Sequence, residues 1–161
     1  MSDLLDLKLI IDKECQKLTV TIRNNERNED VEGIIAAVQS YEDRKVPMIP
    51  AYFKDSMVML PQRQIIRLFV SGRKVMVQTS ERTYEVKRPL REIEAMLDSS
   101  LFVRISQSET INIRKVKNFD FSAVGTIGVV LENGERTWVA RRRVKNVKDA
   151  LAGGSNDGSE K

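Results

Sequence analysis

The chain has 161 residues, of which 41% are hydrophobic and 31% charged, a composition typical of a soluble globular protein with its own core. It has no histidine and one cysteine, Cys15. This excludes histidine-based catalysis and an intramolecular disulfide, and it makes a structural zinc site improbable. The net charge is +4, but residues 1–55 carry −3 and residues 56–161 carry +7. The basic second part therefore favours a polyanionic partner.

The first part of the chain predicts two short strands and one helix. Residues 7–11 and 18–22 are apolar and rich in β-branched side chains, and the second segment alternates cleanly. Residues 25–30 form a polar turn with good helix-capping side chains. A helix that ends near residues 41–43 is predicted next, because apolar residues recur at i, i+3, i+4 and i+7. They are Val31, Ile34, Ile35 and Val38.

The sequence suggests a small α+β region, a linker, a larger β-rich domain and a tail. Proline at 47 and 50 cannot continue a helix, so residues 46–55 are predicted to be a linker. The regions on either side are residues 1–45, 56–151 and 152–161, the last predicted to be disordered. About 45 residues with two strands are too few to be stable alone. The small region is therefore expected to pack on the second part or to pair with itself.

The second part is predicted to be mostly strand, with two short helices. The predicted strands are residues 56–60, 65–70, 74–79, 82–87, 102–105, 111–113, 116–121, 128–131 and 136–140. One helix begins after Pro89, and a second covers residues 141–151. Asn133 and Gly134 form the strongest hairpin signal in the chain. The predicted fold class is therefore mainly β, preceded by a small α+β region.

Neither an enzyme nor a cofactor-binding protein is indicated. The chain has no glycine-rich phosphate loop and no convergent pair of carboxylates, so no catalytic residue, cofactor site or metal site is predicted. The acidic N-terminus differs from a signal peptide, and no apolar run is long enough to span a membrane. We therefore expect a cytoplasmic protein.

Three loops carry basic or hydrogen-bonding side chains suited to nucleic acid. Arginines at the start of a helix are unfavourable next to the positive end of the helix dipole, unless a bound polyanion compensates. Guanidinium groups match phosphate and guanine, and glutamine matches adenine. The alternatives are an arginine cluster paired with nearby acids and, for the serine and glutamine run, an ordinary loop. The candidate residues are Arg73 and Lys74 in one loop, Arg104, Ser106, Gln107 and Ser108 in another, and Arg141, Arg142 and Arg143 in the third.

Loops of this kind point to double-stranded DNA. Aromatic residues make up only 6% of the chain, whereas stacking platforms for single strands need exposed aromatics. Trp138 is expected to take part in core or edge packing. No helix-turn-helix pair is recognisable. The second hypothesis is a protein-interaction module whose basic loops bind an acidic partner, or whose N-terminal part titrates another regulator.

The chain resembles the LytTR DNA-binding domain of bacterial transcription regulators over roughly residues 56–151. The resemblance rests on several segments in the family's order and at similar spacing. They are LREIEAML at 90–97, FVRISQS at 102–108, INI at 111–113, LENG at 131–134 and VARR at 139–142.

The resemblance implies an elongated fold of stacked sheets with short helices, and loops that enter successive major grooves. By position, the base-reading residues would be those of the loop holding Arg73 and Lys74, with Ser106, Gln107 and Arg142. Arg104, Ser108, Arg141 and Arg143 would lie near phosphates. Many members have His-Arg or His-Asn at the positions of Ser106 and Gln107, and serine at the position of Ala140. The resemblance therefore implies the same overall mode of binding and leaves the preferred bases at these positions open.

Residues 1–55 are too short for a phosphoacceptor receiver domain, so the chain resembles the small stand-alone LytTR regulators. Some of those are held in check by a membrane protein. The resemblance therefore implies a homodimer on double-stranded DNA that contacts RNA polymerase, with residues 1–55 as a dimerisation or inhibitor-docking element. The alternative is an interaction module that titrates or docks another regulator or a membrane inhibitor.

Overall fold

A computed structural model describes residues 5–154 of the protein, which fold mainly as two antiparallel sheets. The larger sheet has the strand order β2-β1-β5-β4-β3-β7-β6, and the smaller has the order β10-β9-β8. The strands are β1 (Ile49–Phe53), β2 (Ser56–Leu60), β3 (Ile65–Ser71), β4 (Lys74–Thr79), β5 (Thr83–Val86), β6 (Phe102–Ser106), β7 (Glu109–Asn112), β8 (Val116–Asp120), β9 (Ile127–Leu131) and β10 (Arg136–Val139). The α-helices are α1 (Glu29–Asp43), α2 (Leu90–Met96) and α3 (Val144–Gly154), with 3-10 turns at Gln62–Gln64, Ile113–Lys115 and Arg141–Arg143.

The predicted mainly β fold is confirmed. The alternating pattern of apolar residues in the sequence corresponds to alternating burial along the strands. Along β4, Val75, Val77 and Thr79 are buried and the residues between them are more exposed. At the predicted hairpin, Gly134 adopts a φ of 87° and its N–H donates to the Leu131 carbonyl at 2.9 Å. That left-handed conformation favours glycine, which explains the strength of the Asn-Gly signal.

The larger sheet is buried on both faces by two separate apolar clusters. The Ile65 side chain belongs to the first cluster and that of Ile66 to the second, so β3 contributes to both faces. Helix α2 covers the first cluster through Leu90 and Ile93. The smaller sheet and α3 close the second. Its buried members are Ile66, Val103, Ile105, Ile111, Ile127, Val129, Leu131, Val139 and Val147.

The predicted linker at residues 46–55 is wrong, because it contains the core strand β1. Ile49 and Ala51 in that strand are fully buried. The two prolines misled the prediction. Strand β1 pairs with β5 at a single position, Tyr52 opposite Glu85, so the stretch that holds Pro50 is bonded mainly on the β2 side. A strand bonded on one side tolerates proline.

The predicted strands at residues 7–11 and 18–22 are also wrong, since neither segment has regular structure. A turn does connect them, in which the Cys15 N–H donates to the Asp12 carbonyl at 3.1 Å. Two strands without a third partner are at best marginally stable in water. The predicted helix is confirmed as α1, and the Asn28 side chain caps it by accepting from the Val31 N–H at 3.1 Å.

The C-terminal helix lies near its predicted position, residues 141–151, but it begins and ends three residues later. Residues 141–143 form a 3-10 turn, and α3 continues to Gly154, so residues 152–154 are helical rather than disordered. The rest of the predicted tail, residues 155–161, lies outside the described residues. Among residues 5–154, no helix is both long and apolar enough to cross a membrane.

Gln62 joins the start of the domain to helix α2, and its loss should destabilise the fold. Its side chain is buried, donates to the carbonyls of Pro47 and Met96 at 2.8 Å each, and accepts from the Asp98 N–H at 2.8 Å. We expect Gln62→Leu to lower the free energy of unfolding by about 1–3 kcal/mol, because these backbone groups lose their partner. Urea unfolding followed by circular dichroism measures this, with exposed Gln107→Leu as the control. An unchanged midpoint for Gln62→Leu would contradict the assignment.

Candidate nucleic-acid interface

Two of the predicted loops lie side by side at one end of the larger sheet. The β3–β4 turn holds Gly72 and Arg73, and the β6–β7 turn holds Gln107 and Ser108. Strand β3 pairs with β7, and the Val70 N–H donates to the Ser108 carbonyl at 2.8 Å. This hydrogen bond continues the pairing to the point where both strands turn.

The third predicted loop joins the same end through β6. The Ala140 N–H donates to the Ile105 carbonyl at 2.7 Å, so the 3-10 turn Arg141–Arg143 starts beside Ser106. Helix α3 also packs against β6, with Val147 fully buried in the second cluster. The structure therefore brings together all three loops that were selected from the sequence, although their residues are far apart along the chain.

Most of the cations at this end are free to meet a ligand. Arg73, Arg141 and Arg142 are exposed and form no ion pair with any residue in the range 5–154. Lys74 lies 3.5 Å from Glu85, but its side chain is 65% exposed. An exposed pair of this kind contributes little, so Lys74 can exchange its partner. The alternative interpretation, in which the arginines of the third loop pair with nearby acidic residues, is therefore not supported among the described residues.

Arg104 differs from the other candidates, because its guanidinium is held by protein groups. It donates to Glu94 at 2.6 Å, to the Ser106 carbonyl at 2.9 Å and to the Gln107 carbonyl. Glu94 also accepts from the Thr110 hydroxyl at 2.9 Å. Arg104 thus ties the β6–β7 turn to α2 and fixes the shape of that turn.

The serine and glutamine run forms a compact turn with polar groups facing outward. The Ser108 N–H donates to the Ser106 hydroxyl at 3.2 Å, and the two hydroxyls lie 3.4 Å apart. Gln107 at the tip is exposed. Its amide can both donate and accept, which is the pattern that an adenine edge requires.

Arg143 is the inward-facing member of the arginine turn. It is half-buried, and its Nε atom is enclosed without a hydrogen-bond partner among the residues described. A buried N–H without an acceptor is costly.

The sequence did not reveal a fourth loop beside this end, residues 121–126 between β8 and β9. Gly125 lies near the arginines, since a Cβ built there would be 3.8 Å from Arg141 Nε. The Ser122 N–H donates to the Asp120 carboxylate at 2.9 Å. Hydrogen bonds from the Ser122 side chain and backbone lower the pKa of Asp120, and the Arg136 charge adds to this. Small residues are the only signal for this loop, and they are too common to be diagnostic.

A buried polar network, also unrecognised in the sequence, joins the two sheets behind the loops. Arg67 donates to Glu109 at 2.9 Å and to Gln78 at 2.8 Å. The Thr137 hydroxyl of β10 donates to Glu109 at 2.5 Å. The side chains of Arg67 and Glu109 are only 13% and 12% exposed. Because Thr137 lies three residues before Ala140, this network sets where the arginine turn meets β6.

Comparison with known proteins identifies the family. Residues 55–152 match the family model described as the LytTr DNA-binding domain. The chain belongs to the LytTR family. It therefore contains a DNA-binding domain over most of its length, as the resemblance implied.

Individual relatives agree with this assignment. An uncharacterized HTH-type transcriptional regulator of Staphylococcus aureus is 26% identical over 149 residues, covering 92% of this chain and 99% of that protein. Transcriptional regulatory protein LytR of the same species is 29% identical over 103 residues, covering 64% of this chain and 42% of LytR. The first alignment is much longer than the LytTR domain, so that relative shares most of the N-terminal region.

A solved structure has the same fold. It is the LytTr DNA-binding domain of a putative methyl-accepting/DNA response regulator from Bacillus cereus, with a TM-score of 0.62 at 23% identity. The match covers 65% of this chain and 96% of that one. Within residues 5–154 the three α-helices are separated by strands, so no helix-turn-helix unit is present despite the name of the Staphylococcus aureus relative.

Proposed function

We propose that this protein is a cytoplasmic transcription regulator, without enzymatic activity, that reads double-stranded DNA through the loops at one end of its larger sheet. The observation that supports this most is the convergence of three polar or basic loops, fixed by hydrogen bonds from Val70 to Ser108 and from Ala140 to Ile105. Loops on a rigid sheet present side chains to a major groove without a recognition helix.

The residues divide into three proposed roles. The groups proposed to read bases are the exposed Arg73, Lys74, Gln107 and Arg142, together with the half-buried Ser106. Arg141, Arg143 and Ser108 would contact phosphate, which needs charge or a donor but no base-specific geometry. Arg104 would act mainly as a positioning residue, because its donors are occupied by Glu94 and the turn carbonyls.

We further propose that the protein acts as a homodimer on repeated half-sites and contacts RNA polymerase. A second candidate function is favoured by the exposed apolar residues of the N-terminal region, such as Leu7 and Leu18. Such a surface suits a protein partner. In that function the region would dock another regulator or a membrane-protein inhibitor.

Selection from random double-stranded DNA tests the proposed function. The purified full-length chain is incubated with the pool near physiological salt, and the retained DNA is sequenced. Enrichment of one repeated motif is expected, and its spacing gives the arrangement of the half-sites. Retention without enrichment that disappears as salt rises would show generic polyanion binding and would favour the interaction module.

Lys74 provides a test of the contacts within the interface, because two roles remain open for it. If Lys74 contacts phosphate, Lys74→Ala should weaken binding to all sequences alike and lower the log–log salt slope by about 0.9. If it reads a base, the loss should be confined to one position of the site. Fluorescence anisotropy titrations at several salt concentrations distinguish the two, with Lys117→Ala as the control on an exposed lysine of β8. No change in either quantity would remove Lys74 from the interface.

A further inference from the structure

The N-terminal region exposes an unusual number of apolar side chains. Leu7, Leu9 and Ile11 are 88%, 81% and 80% exposed, and Leu18 is 80% exposed. Single exposed apolar residues are normal, but a run of them in one segment marks a surface that is covered by a partner.

Helix α1 repeats the pattern. None of its residues is buried, and its apolar stripe belongs to neither core cluster. Near the end of the helix, Asp43 accepts from Arg63 at 3.0 Å, and the four apolar residues of the stripe are half-buried. An amphipathic helix is normally stabilised by packing of its apolar face, and that of α1 is covered only in part among the described residues.

The two apolar segments have the pattern of a hairpin that lacks a sheet. Residues 7, 9 and 11 of one segment and 18, 20 and 22 of the other are apolar, with Ile10 as an additional apolar residue in the first, and a turn at Asp12 and Cys15 lies between the segments. One hairpin and one helix are too few for a stable layer. Two copies related by a twofold axis supply four strands and two helices, enough for a sheet with one covered face.

We propose that residues 5–43 form the dimer interface, in which the hairpins of two copies join into one sheet covered by the two α1 helices. The inference rests on the dimer of the proposed function and names the surface that makes it. Burial of one Leu or Ile side chain removes roughly 60–120 Å² from water. Several such residues per chain approach the roughly 800 Å² per partner of a standard interface. Those more than half exposed are Leu7, Leu9, Ile11, Leu18 and Val20, and those already half-buried, which contribute less, are Ile22, Val31, Ile34, Ile35 and Val38.

The surroundings favour a second copy as the occupant. The two hairpins are compatible in charge, because residues 5–27 carry four acidic and five basic side chains, whereas residues 5–43 as a whole carry nine acidic and five basic side chains. Among residues 5–154, α2 and the smaller sheet already cover the two core clusters. Competing exposed apolar residues lie on the edge strand β2, where Met57 and Met59 are 54% and 47% exposed, and beside the smaller sheet, where Phe121 and Trp138 are 55% and 56% exposed.

Light scattering coupled to size exclusion tests the interface in the full chain. We expect twice the chain mass of 18.4 kDa for the wild type. Val20→Lys puts a charge on the apolar face and should raise the dimer dissociation constant at least roughly tenfold. Thr19→Lys adds the same charge to the opposite face and should leave it unchanged. A monomeric wild type, or a dimer insensitive to Val20→Lys, would overturn the proposal.

Three further measurements support the interpretation of the mass data. Hydrogen exchange of the wild type should protect the amides of residues 7–11 and 18–22 in the dimer, and unprotected amides there would contradict the joined sheet. Met57→Lys should have no effect on mass, and a monomer would instead place the contact at β2. Val20→Lys should keep wild-type affinity for one half-site. If the wild type did not bind DNA, the proposed function would be wrong, but the mass measurement would still test the dimer interface.

Discussion

Replacing Glu109 with alanine should lower the free energy of unfolding by about 3–5 kcal/mol, the usual effect of removing one partner from a buried ion pair. Glu109 accepts from Arg67 at 2.9 Å and from Thr137 at 2.5 Å, so the substitution leaves a guanidinium and a hydroxyl without their acceptor. Glu135 lies 3.7 Å from Arg67 but is half-exposed, and it compensates only in part. Urea unfolding followed by circular dichroism measures the change.

The double variant Arg67→Met with Glu109→Leu is the informative control for this network. It removes both charges and fills the space with apolar groups, so it should be less destabilising than Glu109→Ala. Comparable losses in the two proteins would show that packing, rather than an unpaired charge, governs the site. Glu109→Ala should also weaken DNA binding, since Thr137 would no longer hold β10 against the larger sheet. If a folded Glu109→Ala variant bound DNA with unchanged affinity, the network would not contribute to the position of the DNA-binding loops.

The strands of the LytTR domain were predictable because burial follows a period of two. In β4 and β9 the inward positions are apolar, and turn residues such as Gly134 mark the ends. Strand β1 was missed because proline is a good marker of irregular structure except on a strand bonded on one side, as at Pro50. Whether a strand is hydrogen-bonded on one side or on both depends on which strands lie beside it, and a single sequence does not reveal the order of the strands.

The N-terminal error has a different physical origin. Residues 7–11 and 18–22 have strand periodicity, yet periodicity creates a strand only when a neighbour supplies hydrogen bonds and an apolar face. Among residues 5–154 of the single chain, no strand pairs with these segments and their apolar side chains remain exposed. The strand pattern in the sequence and the lack of strands in the single chain are consistent if the neighbour is a second copy, as proposed for the dimer interface.

The candidate site shows the same division between local and long-range information. Charge and the LytTR resemblance selected Arg73, Gln107 and Arg142, and their loops do meet. The role of Arg104 was not predictable, because it depends on Glu94 ten residues away on another element. The network of Arg67 and Glu109 spans 42 positions along the chain and connects elements whose pairing the sequence did not reveal.

Arg142→Ala should weaken binding to the selected DNA site by about 1–3 kcal/mol, roughly tenfold to a hundredfold, if its guanidinium reads a base edge. Arg142 is exposed at the turn before α3 and has no ion-pair partner among the described residues, so its donors are free for a ligand. The stability of the fold should not change, because the side chain contributes to neither apolar cluster. Anisotropy titrations against the preferred site and against single-base variants measure both affinity and specificity.

The matched control is Arg82→Ala, which makes the same substitution at the opposite end of β4. Arg82 is exposed and lies over the Phe53 ring at 4.4 Å, far along the sheet from the turn that holds Arg73. It carries the same charge, so a loss of affinity from net charge alone would be the same in both variants. A loss in Arg142→Ala that is confined to one base position identifies a reading residue. An equal loss on every sequence would place Arg142 on phosphate, and equal affinities of wild type and Arg142→Ala would remove it from the interface.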